Sequence, residues 1–428
     1  MAVYSPVTKA LIITSRFPWP SYTGERLRAA RWITALAQSG EVALIAPRGV
    51  LPSDVPRFRF YAARWSVGRL VRGAMSLLRE GLPIQCLMGA PYDWPAAMAG
   101  ARRDMGPFDV TVVILSRMHP WVQQSAISVA PAARWLDRRR LGGATRKTAS
   151  EPLAVQPSSR RRYVTRESLD GLTVLDAVDS LRRSAEERRK AAGPATRWFW
   201  RMEEQRMAHL ERDAARSYDR IVVVSEDEAD EFGGAAAVTN GIFAKPLGDV
   251  PRAYDFGFWG RLAYFANADA TRWLLDEIWP AIRALRPSAT LIIGGAEAPR
   301  SLRTRAQRSG VTLLSPVDDI GSFARNIRVA LMPLRYGSGQ SNKVLEAAEA
   351  GCAIVGTAQA FRGLAPLARH ARIESSASAF AGAAVELLVD DDGRACMAAR
   401  LREVVATQYA RSATIERLLV IAGATEGR

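Results

Sequence analysis

Short runs of uninterrupted apolar residues recur along the chain, each followed by a segment of helical length. ALIIT at 10–14 comes first, then EVALIAP (41–47), DVTVVIL (109–115), LTVLDAV (172–178) and RIVVVSE (220–226). After a proline-bearing stretch around 240–251 the rhythm restarts with DFGFWG (255–260), ATLIIGG (289–295), VTLL (311–314), VALMPL (329–334) and CAIVGT (352–357). A strand with one wet face alternates apolar and polar residues. Runs apolar throughout are buried on both faces, and they predict parallel sheets covered by helices on each side. Two such sets, meeting near 245–252, predict an α/β chain of two doubly wound, Rossmann-like domains. Between the first two runs, Leu27, Ala30, Ile33 and Ala37 form one stripe of a helix near 24–38.

Two segments break the rhythm. Residues 137–168 are basic, carry Ser, Pro and Gly, and show no apolar periodicity, which predicts a mobile surface insertion. Residues 181–216 read as a long charged helical region whose RWFWRM (197–202) either packs on the first domain or seeks a membrane. The chain has 428 residues, enough for two or three domains. No run of 18 apolar residues exists, and the N-terminal apolar stretch reads as a buried strand rather than a signal peptide. Cys86, Cys352 and Cys396 are odd in number and far apart, which fits a reducing cytoplasm and neither a disulfide framework nor a zinc site.

Charge narrows the partners. The formal net charge is +16, and residues 51–166 hold 19 Lys and Arg against 7 Asp and Glu. Such a surface suits an anionic substrate, anionic lipid or nucleic acid, or merely reflects an arginine-rich solvated face. No interleaved aromatic and basic pattern supports nucleic acid, so that class is set aside.

Open α/β sheets bind ligands beyond the carboxyl ends of their strands. In the second half those positions hold WGRLAYFANAD (259–269), GGAEAP (294–299), PLRYGSGQSNK (333–343) and TAQAFRGL (357–364). They supply glycine-rich backbone, Arg261, Lys343 and Glu346. In the first half, SRFPWPSYTGERLR (15–28) supplies Gly24, Arg26 and Arg28, and LSRMHPW (115–121) supplies Arg117 and His119. The stretch 337–343 is not a Walker A loop, because Asn342 stands where glycine must precede the lysine. Glycine-rich backbone feeding a helix N-terminus nonetheless suits a phosphate. Two loop sets facing across a cleft place an anionic ligand on one side and a second substrate on the other.

SNKVLEAAEAGCAIVGT followed by FRGL resembles the donor-site segment of glycosyltransferase family 4 (group 1) enzymes of the GT-B fold. More closely, the chain resembles sugar transferases of exosortase-associated exopolysaccharide systems. SRFPWPSYTGERLR, VLDAVDSLRRSAEERR, YDRIVVVSEDEADEF, VTNGIF, NADATRWLLDEIWPAIRALRPSATLIIGG and VALMPLRYGSGQSNKVLEAAEAG occur in the family's order. They leave out roughly 50–100 and 137–168.

The resemblance implies transfer of a sugar from a nucleotide-sugar donor to a glycan or lipid-linked acceptor, with retention of configuration. It implies that residues 1–245 recognise the acceptor, that 252–410 hold the donor, and that 411–428 return as a helix to the first domain. Glu346, the second glutamate of the family's Glu-x7-Glu pair, would bind the ribose hydroxyls. Gly339, Gln340, Ser341 and Asn342 would hold the diphosphate, and Gly24 would let the donor approach the backbone. Arg261 would contact the departing phosphate. Arg26, Arg28 and Arg117 are acceptor-side candidates, and His119 is either an acceptor base, a sugar contact, or neither. Asp176 and Asp179 either orient an acceptor or cap the next helix.

Three departures stand out: Ser338 replaces the pair's first glutamate, Ala266 replaces the usual lysine, and the 137–168 insertion lengthens a short loop. Lys343 is the candidate cation in place of that lysine. No metal or other cofactor is expected, because no cluster of Asp, His or Cys at ligand spacing lies near the site. The expected location is cytoplasmic, with the basic first domain suited to the inner membrane face. A nucleotide-sugar epimerase and a non-catalytic sugar-nucleotide sensor share the architecture and remain as alternatives.

Overall fold

The apolar runs become the inner strands of two parallel sheets in a computed structural model that describes residues 7–21, 23–129, 169–242 and 251–424. The first sheet holds β1 (Lys9–Thr14), β2 (Glu41–Ala46), β3 (Arg59–Ala62), β4 (Val110–Ile114), β5 (Leu172–Val178), β6 (Arg220–Val223) and β7 (Ala236–Ala237). Their order is β3-β2-β1-β4-β5-β6-β7. The second holds β8 (Tyr254–Arg261), β9 (Leu291–Ala296), β10 (Thr312–Leu314), β11 (Ile327–Met332), β12 (Ala353–Gly356) and β13 (Arg372–Ile373), in the order β10-β9-β8-β11-β12-β13. Each sheet carries core clusters built from its inner strands and the helices covering them. These are two Rossmann-like α/β domains. The insertion at 137–168 lies outside the described residues.

Three strands have no apolar run in the sequence. β3, β7 and β13 are all at sheet edges, two to four residues long, and β3 and β13 begin with arginine. An edge strand has a partner on one side only and faces water, so it needs no continuous apolar run. The first helix differs too. Gly24–Leu36 buries Glu25, Arg28, Ala29, Ala30, Trp32, Ile33, Ala35 and Leu36, while Leu27 and Ala37 sit at the margin of that face.

Both sheets reverse their winding in the middle, between β1 and β4 and between β8 and β11. That reversal opens a crevice at the carboxyl ends of these strands. The chain crosses between sheets after Ile242 and again at Tyr409–Arg411. The two crossings are tied together: Ile242 N–H donates to Tyr409 O (2.8 Å) and Arg411 N–H to Ile242 O (3.0 Å). The last helix, Arg411–Ala422, lies on Gly24–Leu36 and buries Leu418, Leu419 and Ala422 in the first sheet's core. The helices Leu181–Ala191 and Pro194–Ser217 pair as a hairpin; Trp200 packs on Leu181, Ala185 and Met207, whereas Trp198 is exposed. Among the described residues no helix is long and apolar enough to cross a membrane.

Candidate active site

Helix Asn342–Glu349 follows β11 and points its N-terminus into the crevice. Lys343 and Glu346 lie three positions apart and therefore on one face. The Lys343 ammonium donates to Asn267 Oδ1 (2.8 Å) and lies 5.6 Å from the centroid of the Phe258 ring. It crosses the end of β8 where Gly260 stands. A Cβ at Gly260 would come within 3.0 Å of Lys343 Cε, and φ there is +145°. Burial lowers the Lys343 pKa to about 8, with Glu346 opposing. Glu346 Oε2 accepts from the indole N–H of Trp259 at 2.7 Å. Burial pushes its carboxyl pKa up, with Trp259 and Lys343 opposing. An acceptor carboxylate thus stands one turn inside a helix whose first turn offers a cation and free N–H groups.

The loop before this helix is glycine-built for a reason. Gly339 has φ +69°, and a Cβ there would sit 2.9 Å from Cβ of Asp179. The loop is braced from 357–363: Gln359 Nε2 donates to Gly337 O (2.7 Å) and Gln340 Nε2 to Gly363 O (3.4 Å). Ser341 occupies the N-cap position, yet its hydroxyl makes no capping bond. Asn342 Oδ1 accepts from Asn240 Nδ2 of the first domain (3.0 Å).

The first domain answers with charge. Glu25, buried at the start of helix Gly24–Leu36, binds Arg117 (2.5 Å) and the Ser15 hydroxyl, with Arg16 at 3.8 Å. The pKa of Arg16 is lowered, first by burial and then by Arg117, Arg26 and Arg261, with Glu25 opposing. Four arginines from both domains therefore share one field. From the end of β5, Asp179 accepts from the Ser338 hydroxyl (3.0 Å), and Glu228 accepts from Gly339 N–H (3.3 Å). Burial, helped by Glu228, raises the Asp179 pKa to about 6. On another side, Arg188 stacks between Trp200 of its own domain and Tyr264 and Phe265 of the other, at 5.0, 5.7 and 4.4 Å.

Several buried polar atoms in these loops have no hydrogen-bond partner among the described residues. They include the hydroxyls of Thr23, Ser116 and Ser341, Nε of Arg26, Arg117 and Arg188, and the side-chain oxygens of Asn240 and Gln340. Folded proteins pair nearly all such atoms, so a cluster of unpaired ones marks a place made for a polar ligand.

The geometry gathers Lys343, Glu346, Gly339, Gln340, Ser341, Asn342, Arg26, Arg117 and Arg261 around this crevice, whereas Arg28 does not reach it. Arg28 is fully buried: Nε donates to Asp176 (2.5 Å), and the other nitrogens donate to the carbonyls of Thr239 (3.0 Å) and Val223 (3.3 Å). It braces the first domain and cannot touch an acceptor. Asp176, which also accepts from Trp32 Nε1 (2.6 Å), is its partner and caps nothing. The helix cap is Ser180, which accepts from Arg183 N–H. His119 is buried with Nδ1 3.5 Å from the Tyr218 hydroxyl, and burial lowers its pKa to about 4. It is therefore neutral at pH 7, packed against Tyr218 inside the first domain. Arg261 is exposed and pairs with Glu297 (2.8 Å). Gly24 meets only Val178 Cγ1, at 3.7 Å, so packing does not demand a glycine there. Ala266 is buried, and Lys343 bonds to its neighbour Asn267. Sequence reasoning missed Glu228, Asn240, Asn267 and Trp259. Each lies in a segment quoted above, but its partner on the donor-domain loop or helix is 76 to 111 positions away, so the sequence carries no signal of the pairing.

Residues 253–390 match the family model described as glycosyl transferases group 1. The protein is a glycosyltransferase. No curated protein sequence matches the chain. Among solved structures, this glycosyltransferase superposes on sucrose-phosphate synthase from Thermosynechococcus elongatus with a TM-score of 0.66 at 12% identity, covering 97% of this chain and 98% of that one. It superposes on Anabaena HepE in complex with UDP and glucose at 0.61 and 12%, covering 97% and 100%. WaaG, a glycosyltransferase involved in lipopolysaccharide biosynthesis, gives 0.60 at 15%, covering 96% and 99%. At such identities the likeness establishes the fold, which is GT-B.

Proposed function

We propose that this glycosyltransferase moves a sugar from a nucleoside diphosphate sugar to a glycan or lipid-linked acceptor in exopolysaccharide or related cell-surface glycan synthesis. The observation that carries the reading is the grouping at one helix N-terminus of Lys343, the unpartnered Ser341 hydroxyl and, one turn on, Glu346. Breaking the bond between sugar and phosphate leaves charge on the diphosphate, and preorganised cations and N–H donors stabilise that charge. With a pKa of about 8, Lys343 is charged at neutral pH and faces the incoming phosphates together with the N–H groups of Ser341 and Asn342. Arg261 joins by releasing Glu297, since an exposed pair of this kind is held weakly. Glu346, fixed by Trp259, accepts the ribose hydroxyls. Gly24 leaves open backbone for the donor on the opposite wall. In this reading leaving-group stabilisation comes from residues of the chain, and no metal is assigned a part.

In this reading 252–410 hold the donor, 1–245 hold the acceptor, and 411–428 link the two. Retention and the exopolysaccharide setting rest on the resemblance of the ordered motifs. The basic first domain supports an acceptor presented at an anionic membrane face.

Thermal shift with UDP, GDP, ADP, TDP and CMP tests the donor site, and UDP comes first because HepE was solved with it. A ligand at a hundred times its dissociation constant adds roughly 2.7 kcal/mol of stability. One nucleotide should raise the midpoint of the wild type and not of Glu346→Ala or Glu346→Gln. Equal shifts in all three proteins, or none in the wild type, would sink the assignment.

A further inference from the structure

Helix Val67–Glu80 carries its apolar residues on two faces. Leu77 is in the first domain's core, and Gly73 presses so closely that a Cβ would meet Cβ of Ala90 at 2.4 Å and Trp121 at 3.3 Å. That contact holds the helix in one rotation. The opposite face presents Val67, Val71, Met75 and Leu78, exposed by 59%, 57%, 54% and 76%. Their spacing of four, four and three places them in a single outward stripe. Trp65, just before the helix and 57% exposed, extends it. Scattered exposed hydrophobics are ordinary, whereas a continuous stripe on a rigidly seated helix marks a contact surface.

Charge selects the occupant. Arg72 and Arg79 are exposed along one margin of the stripe, and Arg64 is exposed beside Trp65. Arg69 is engaged by Asp93 (2.7 Å), and Glu80 stands as the acidic residue at the helix end. Aliphatic side chains and a tryptophan flanked by arginines are what a helix lying in the headgroup region of an anionic bilayer presents. Position agrees. Arg64–Val67 leave the carboxyl end of β3, the same end of the sheet that forms the crevice. The following turn, Ile84–Met88, touches the crevice loop through Met88 Sδ, 3.8 Å from Arg16 Nη2. We infer that helix Val67–Glu80 is the membrane-docking element of this enzyme, inserting Trp65, Val67, Val71, Met75 and Leu78 into an anionic leaflet beside the acceptor side of the crevice. The inference deepens the membrane part of the proposed function and does not depend on the donor assignment.

Flotation of the full chain with phosphatidylcholine vesicles, with and without phosphatidylglycerol, tests it. The wild type should float with the anionic vesicles. The double variant Val71→Asp, Leu78→Asp should lose at least ten-fold in partition. Arg72→Glu with Arg79→Glu should lose roughly five-fold per arginine, and that loss should fade at high salt. Every substituted position is exposed, so folding survives. The nucleotide thermal shift should match the wild type in both variants, which separates failure here from failure of the donor site. The inference is overturned if the wild type stays with the unbound fraction, or if the apolar variant floats as well as the wild type. It is equally overturned if sedimentation velocity shows a wild-type dimer that the apolar variant dissociates without any change in flotation, because the stripe would then cover a second copy.

Discussion

The two domains share one winding plan and fill it differently. The first keeps charge inside: Glu25, Arg28, Arg117, Asp176, Glu187, Glu203, Glu211 and Glu228 are all buried. In the second, away from the crevice, Glu349 is the one buried charged residue among those described, paired with Arg325 at 3.2 Å. At the crevice the contrast repeats. The first domain's wall is made of ionised side chains holding one another in place. The second domain's wall is glycine backbone at Gly260, Gly295, Gly337 and Gly339, all at positive φ. A backbone wall can receive any nucleoside diphosphate through N–H groups. A side-chain wall is particular to its partner. Accordingly, the group 1 family model matches 253–390 and not the first domain.

The largest test of that contrast is to remove one buried charge from each domain. Arg28→Ala leaves Asp176 without its cation in a fully buried place and should cost about 3–5 kcal/mol in urea unfolding. Glu349→Ala leaves Arg325, which reaches solvent, and should cost less, about 1–3 kcal/mol. Equal costs would erase the distinction between a charged and an apolar interior.

Asp179 sharpens it next. Its folded pKa of about 6 lies above its ordinary value, so the folded protein holds a proton that the unfolded chain has already lost. Stability should therefore fall as pH rises from about 4 to 6, by on the order of 1–3 kcal/mol, because ionisation burdens the folded state alone. Asp179→Asn should flatten that slope and be the more stable protein at pH 7. A slope unchanged in the variant would assign the titration to another group.

The smallest effects come from two glycines on facing walls. Gly339→Ala forces a side chain into left-handed backbone against Asp179 and should cost about 1–2 kcal/mol. Gly24→Ala meets nothing closer than 3.7 Å and should gain about 0.5–1 kcal/mol as a helical alanine. If Gly24 serves the donor, that stabilised variant turns over more slowly; unchanged turnover would remove its role.

The inner strands were legible because burial on both faces writes itself as continuous apolar sequence. The edge strands β3, β7 and β13 were not, since half of each faces water. Glu346 and Lys343 could be read because both lie in one local segment after β11. Trp259, which fixes Glu346 from 87 residues away, could not. Position near a crevice makes Arg28 look like a ligand contact, yet Arg28, Trp32 and Leu36 recur every four residues on the buried face of their helix. Asp179 and Glu228 gain meaning only when the two domains meet.

Their meeting has a consequence for binding equilibrium. Asp179 and Glu228 occupy the Ser338 hydroxyl and the Gly339 N–H, donors on the loop proposed to receive the diphosphate. The protein's own carboxylates then compete with its substrate, and only the fraction of molecules with the loop released is competent to bind. Apparent donor affinity becomes the intrinsic affinity scaled by that fraction. Loosening the grip of the first domain on this loop should therefore tighten nucleotide binding, an inverse relation that no residue of the donor domain could produce alone.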